Sequence, residues 1–125
     1  MDLTPFLKSA LEQDAAPVVL CDLSHTVVYM NPAAVRHYAP QGGAALLGQS
    51  LLNCHPPKAR AIIERVLDWF RENPAHNRIY EFRNDEENKD VYMLALRDDD
   101  GNLIGYYEKH EYRDREPGKL YDFGS

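Results

Sequence analysis

The sequence predicts an α+β domain, a five-stranded antiparallel sheet with helices packed on one face. Three observations carry this. Strand-like runs joined by tight turns stand near both ends of the chain, so hairpins bracket it. Between them lies a long amphipathic helix with an apolar stripe of Ala59, Ile62, Ile63, Val66, Leu67 and Phe70. The 125 residues, 44% hydrophobic and 27% charged, match a single domain of the usual size, roughly 100–150 residues.

In chain order, Leu3, Phe6, Leu7, Ala10 and Leu11 recur at helical spacing and make one stripe of a short amphipathic helix. Thr4 is placed to cap it, and Pro5 suits a first turn, where no amide hydrogen is needed. Pro17 to Asp22 is apolar and β-prone, and Thr26 to Met30 follows a turn at Asp22–His25, giving a hairpin. Asn31 before Pro32 reads as the cap and first turn of a second helix, ended by Pro40 and Gly42–Gly43. Leu46 to Leu52 is a mixed stretch of one or two helical turns. The long helix begins near Pro57, buries an Ile62/Val66/Phe70 stripe against the sheet and stops at Asn73–Pro74.

Three strands complete the chain. Tyr80 and Phe82 share a face of the first, from Arg78 to Arg83. In the second, Tyr92, Leu94 and Leu96 oppose Val91, Met93 and Ala95, so both faces are apolar and the strand is central. Asp100–Gly101 tolerates positive φ and signals a hairpin into a long last strand, Leu103 to Tyr112. The chain thus divides into an N-terminal helix (1–13), a sheet-and-helix domain (14–112) and a polar tail (113–125). A small-molecule pocket would lie between the helices and the concave sheet.

Fourteen Lys and Arg against twenty Asp and Glu give a net charge of −6. The cations are scattered and the densest runs are acidic, Asp85–Glu87 and Asp98–Asp100, which argues against nucleic acid and anionic membrane surfaces as partners. No apolar run approaches the ~20 residues of a membrane span, and the N-terminus lacks the basic and apolar regions of a signal peptide. Cys21 and Cys54 are 33 residues apart and read as reduced thiols of a cytoplasmic protein. Catalysis has little support. There is no phosphate-cradling Gly loop, and Asp22, Ser24 and His25 in one turn cannot form a triad by themselves. The chain is therefore expected not to be an enzyme.

Several segments resemble a PAS domain, the α+β sensory module of signalling proteins. Val27-Val28-Tyr29-Met30-Asn31-Pro32-Ala33-Ala34 is similar to that family's second strand running into its helix start. Leu46-Leu47-Gly48-Gln49-Ser50 resembles its L-L-G-K-S segment, and Asp98 to Gly105 its D-x-x-G-x-x-x-G hairpin. Asn53-Cys54-His55-Pro56-Pro57-Lys58 is similar to the PAS-like segment of bacterial proteins that also carry hemerythrin-type domains. The likeness runs over about residues 14 to 112. It departs where such domains often end in Asp-x-Thr, since this chain has Glu111-Tyr112-Arg113-Asp114. The resemblance implies a regulatory domain that binds a small molecule or a protein partner. With no effector following, it is expected to act in trans on a separate signalling protein. It also implies a homodimer through the N-terminal helix, for which Leu3, Phe6, Leu7, Ala10 and Leu11 are the candidates. The same stripe would alternatively cover the domain's own sheet edge, being too short to stand alone.

The candidate pocket residues are His55, Cys54, Ile63, Val66, Phe70, Tyr80, Tyr92, Leu94 and Tyr106. Tyr80, Tyr92 and Tyr106 would line the concave face with hydroxyls to orient a ligand, or serve as core rings with one wet end. Haem-binding PAS domains use a helix-borne His, which would make His55 an axial ligand of a haem-based redox or gas sensor. Its alternative role is to brace the turn by a backbone hydrogen bond. The histidines lie 12 or more residues apart in sequence, so no local metal motif exists and no metal site is expected apart from His55 if haem binds. Asn53–Cys54 matches the first two letters of the flavin-binding Asn-Cys-Arg-Phe-Leu-Gln segment, but His55-Pro56-Pro57 replaces the rest, which speaks against flavin. Cys54 then reads as a buried, inert thiol. A ligand-free interaction module is the remaining alternative.

Overall fold

The structure, a computed structural model, describes residues 1–124; the side chain of Cys54 lies outside the described residues. The elements are α1 (Thr4–Glu12), β1 (Val19–Asp22), β2 (Val27–Met30), α2 (Pro32–His37), three 3₁₀ turns (Ala39–Gln41, Gly43–Leu46, Leu51–Cys54), α3 (Pro57–Glu72), β3 (Arg78–Asn84), β4 (Lys89–Arg97) and β5 (Leu103–Tyr112). The five strands form one antiparallel sheet in the order β2-β1-β5-β4-β3. The α+β class and the five-stranded sheet expected from the sequence are thus present.

The core lies between the sheet's inner face and α3. Leu67 and Phe70 are fully buried there, beside Ile63, Met93, Tyr106 and Cys21. The buried stripe of α3 runs through Ile63, Val66, Leu67 and Phe70. Ile62, expected on that stripe, is 46% exposed, because the helix turns its Ile63–Leu67–Phe70 line to the sheet instead. Arg97 on β4 donates to the Phe70 carbonyl at 2.7 Å and the His76 carbonyl at 3.2 Å, closing the end of α3 with a cation where its dipole is negative.

Asn31 is the cap that the sequence indicates, and it does more than cap. Its Oδ1 accepts from the Ala34 and Val18 amides, both at 2.9 Å, while Nδ2 donates to the carbonyls of Leu11, Asp14 and Ala16. One buried side chain therefore ties α2, the start of β1 and the end of α1 together. At the other end of α1, the Asp2 carboxylate, and not Thr4, accepts an amide, that of Thr4 itself. No residue of α1 is fully buried, and Leu3, Phe6 and Leu7 are 56%, 64% and 62% exposed, so the stripe does not cover its own sheet edge.

Two glycines of the recognised segments have plain steric reasons. Gly101 sits at φ 85° in the β4–β5 turn, where Asp98 Oδ1 accepts the amides of Asp100 and Asn102. A Cβ on Gly105 would stand 2.2 Å from the Cys21 carbonyl oxygen, so β1 and β5 pair this closely only around glycine.

Candidate functional site

Between the inner face of β1 and β5 and the segment from Tyr38 to His55 lies a cavity of about 250 Å³. Its apolar wall comes from Val19, Cys21, Val27, Leu46 and Leu51, and its polar groups from Tyr38, Ser50, His55, Tyr106, Glu108 and His110. A second space of about 80 Å³, lined by Ile63, Glu81 and Met93 among others, shares Leu51, His55, Tyr106 and Glu108 with the first. The two are adjoining chambers separated by common residues.

The strands explain which side chains converge. Tyr106, Glu108 and His110 alternate onto the inner face of β5, opposite Ala95, Met93 and Val91 of β4. Glu81 joins them through a β-bulge: Tyr80 pairs with Tyr92 but Phe82 with Val91, leaving Glu81 the extra residue. The bulge also corrects the expected alternation, since Tyr80 and Phe82 no longer share a face.

The electrostatics of this wall are unusual. Burial, followed by the neighbouring Glu108 carboxylate, pushes the Glu81 carboxyl up to about 8. Its Oε2 finds no donor, and an ionised Glu108 offers only acceptors, so a proton must lie between the two carboxyls. His110 is 8% exposed, and burial and then Lys89 and His37 press it down to about 4, so the ring is neutral. Its Nδ1 has no partner either. Burial first, then Glu108, raises the Tyr38 hydroxyl. No Lys or Arg lines either chamber.

Tyr106 connects the cavity to the surface. His25, held at φ 65° in the β1–β2 turn, places Nδ1 2.8 Å from the Tyr106 hydroxyl and Nε2 2.5 Å from Glu64 Oε1 on α3. Because a carboxylate only accepts, Nε2 carries the proton and Tyr106 donates to Nδ1. Burial chiefly holds the Cys21 thiol up at about 11, an inert group beside the same hydroxyl.

The sequence-derived site residues divide accordingly. Tyr106 and His55 meet at the cavity, and Ile63 lines the smaller chamber. Phe70 is core and Val66 borders an open groove on the far side of α3. The side chain of Cys54 lies outside the described residues. Tyr80, Tyr92 and Leu94 require a correction: they stand on the outer face of the sheet, in register with Arg78 and Tyr107. There Tyr80 donates to Asp90 at 2.6 Å, and Arg113 reaches Asp90 and the Tyr92 hydroxyl. The residues overlooked were Tyr38, Glu81, Glu108 and the ring of His110. For Glu108 and His110 a signal existed, since period two puts them on the face of Tyr106; for Glu81 the bulge erased it.

His55 donates from Nδ1 to the Leu51 carbonyl at 2.8 Å, the bracing alternative. Haem does not fit here. The cavity is smaller than the roughly 300–1,000 Å³ of drug-sized sites, and the propionates of a haem would meet Glu108 and no cation. Among the described residues no group of three or more His, Cys, Asp or Glu is placed to hold a metal ion, and no helix is long and apolar enough to cross a membrane.

A twisted antiparallel sheet of this order, with helices on one face and a cavity beneath them, defines an α+β module of the sensory type. The chain belongs to the PAS fold family, whose sequence profile matches residues 11–109. No curated protein matches its sequence. Among solved structures it is similar to a C-terminal domain from Streptococcus mutans, at 18% identity and TM-score 0.65, covering 87% of this chain and 84% of that one. It is similar to the PAS domain of a Colwellia psychrerythraea protein, at 13% identity and TM-score 0.64, covering 90% and 98%. The Aer2 receptor of Vibrio cholerae, described as a dual PAS-heme oxygen sensor, matches at 19% identity and TM-score 0.52, covering 75% and 90%. At such identities the likeness is one of fold.

Proposed function

We propose that this PAS domain is a cytoplasmic sensory module that takes up a small molecule in the cavity beneath the 38–55 segment and signals in trans to a protein partner. PAS domains are signal-transduction modules, and that much follows from the family. The observation that carries the finer reading is the cavity wall itself. A folded interior ordinarily satisfies its buried polar groups, yet His110 and Glu81 keep unpartnered atoms beside a space of ligand size. This supports a binding role over catalysis, because Tyr106 is held neutral and no nucleophile–base pair faces the cavity.

The bare stripe of α1 supports a homodimer as the reporting state, with Leu3, Phe6 and Leu7 packed against a second copy. The net charge of −6 favours protein and small-molecule partners over nucleic acid and membrane surfaces. Native mass spectrometry of the purified protein, with thermal shift across a metabolite panel, tests the sensory reading. A bound mass, or a compound that raises the Tm in proportion to its concentration, is the expected result. A bare mass with no shift in any member overturns it.

A further inference from the structure

This inference rests on the cavity being a ligand site and names the chemistry that it selects. Glu81 and Glu108 face one another on the inner side of the sheet, and no Lys or Arg among the described residues pairs with either. Lys89, the cation on the same face, is already committed at 2.8 Å to Glu87. Two partly buried carboxyls without a cation are costly, and the protein meets the cost by keeping a proton between them.

We propose that the cavity takes a compact organic cation, a primary amine on an apolar or aromatic body, whose ammonium replaces that proton. An ammonium brings three donors. Glu108 and Glu81 supply two acceptors and the charge. His110, two residues from Glu108 on the same face of β5 and 8% exposed, supplies a third through a neutral ring that lacks a hydrogen-bond partner. The body of the ligand meets Tyr38, Val27 and Leu51. An anion would face carboxyl groups with nothing to neutralise it, and a neutral alcohol would leave the proton where it is.

Three isosteric probes decide the matter: benzylamine, benzyl alcohol and benzoate, titrated into the full chain at pH 7.5 by calorimetry. Benzylamine is expected to bind at least tenfold more tightly than benzyl alcohol, and benzoate not to bind. In Glu108→Gln the preference for the amine is expected to vanish while the alcohol binds as before. Glu81→Gln is expected to weaken the amine by a smaller factor. The ranking in the unaltered protein carries the test even if a variant folds poorly. Binding of the alcohol or benzoate as tight as that of the amine overturns the cationic assignment while leaving the cavity a ligand site. Silence from all three overturns the assignment too, and the sensory reading then stands or falls by the metabolite screen.

Discussion

Replacing Asn31 by Ala removes five hydrogen bonds from a fully buried side chain. The loss of the α2 cap costs about 1 kcal/mol. The Val18 amide, left buried without its acceptor, adds about 1–3 kcal/mol, and the three carbonyls of Leu11, Asp14 and Ala16 add less, since each has a second lone pair. The total is about 3–5 kcal/mol. At about 4 °C per kcal/mol for a chain of this length, that is a fall in Tm of roughly 12–20 °C. Asn31→Asp separates the two halves of the interaction. It keeps the acceptor for Val18 and Ala34 but sets a second oxygen against three carbonyl oxygens, so at pH 7 it should cost at least as much as Ala. Lowering the pH should restore part of the loss, because a protonated carboxyl can donate one of the missing bonds. Urea titrations at pH 7 and pH 4.5, followed by circular dichroism, read both effects. An Ala variant within 1 kcal/mol of the parent, or an Asp variant equal to it at pH 7, would refute the joint role given to this side chain.

Phe70→Ala, emptying a site that is 0% exposed between α3 and the sheet, should cost about 3–5 kcal/mol in the same titration; a value near zero would mean that α3 presents another face. Tyr106→Phe should cost about 1–2 kcal/mol by stranding His25 Nδ1, and an unchanged midpoint would count against the Tyr106–His25–Glu64 chain. Glu81 holds its proton up to about 8 in the fold but only to its ordinary value near 4.5 when unfolded, so it makes the protein lose stability as pH rises between those values. His110, pressed from 6.5 to about 4, acts in the opposite sense, costing stability as pH falls through that lower interval. Above pH 6.5 only the Glu81 effect remains, so Tm should drop from pH 6.5 to 8.5 and Glu81→Gln should flatten the drop; equal slopes would exclude the shared proton. Leu7→Glu, at a position 62% exposed, should leave Tm within a few degrees while shifting light-scattering mass from dimer to monomer. An unchanged dimer would place the interface elsewhere.

Most of the fold was legible because local chemistry fixes it. Asn31–Pro32, Asp100–Gly101 and the Ile63/Val66/Leu67/Phe70 periodicity each specify a conformation within a few residues. The inner face of β5 was legible in the same way, through alternation. What misled was the β3 bulge, which shifts register by one residue and so turned Tyr80 outward and Glu81 inward. The face of Tyr92 and Leu94 was open for a different reason: β4 is apolar on both sides, so alternation names two faces without saying which meets the helices.

The deeper difficulty was that a sequence does not distinguish a satisfied buried polar group from an unsatisfied one. Asn31, His25 and Lys89 are all buried and all fully engaged, by backbone groups, by Tyr106 with Glu64, and by Glu87. These residues build the fold, and nothing about them asks for a ligand. Glu81 and His110 are equally ordinary as letters, yet each leaves an atom without a partner. The third such atom, the Tyr29 hydroxyl, lies on the other side of the sheet near Glu12 and touches no cavity. Desolvating a polar group without pairing it costs about 1–3 kcal/mol, a penalty that a module for packing alone would shed by substituting Gln, Leu or Met. That two such groups stand on one wall, beside the space the fold leaves open, is why the binding reading outweighs that of a filled interaction module. It is also why His55, the residue most conspicuous in the sequence, matters less: its Nδ1 is already committed to the Leu51 carbonyl.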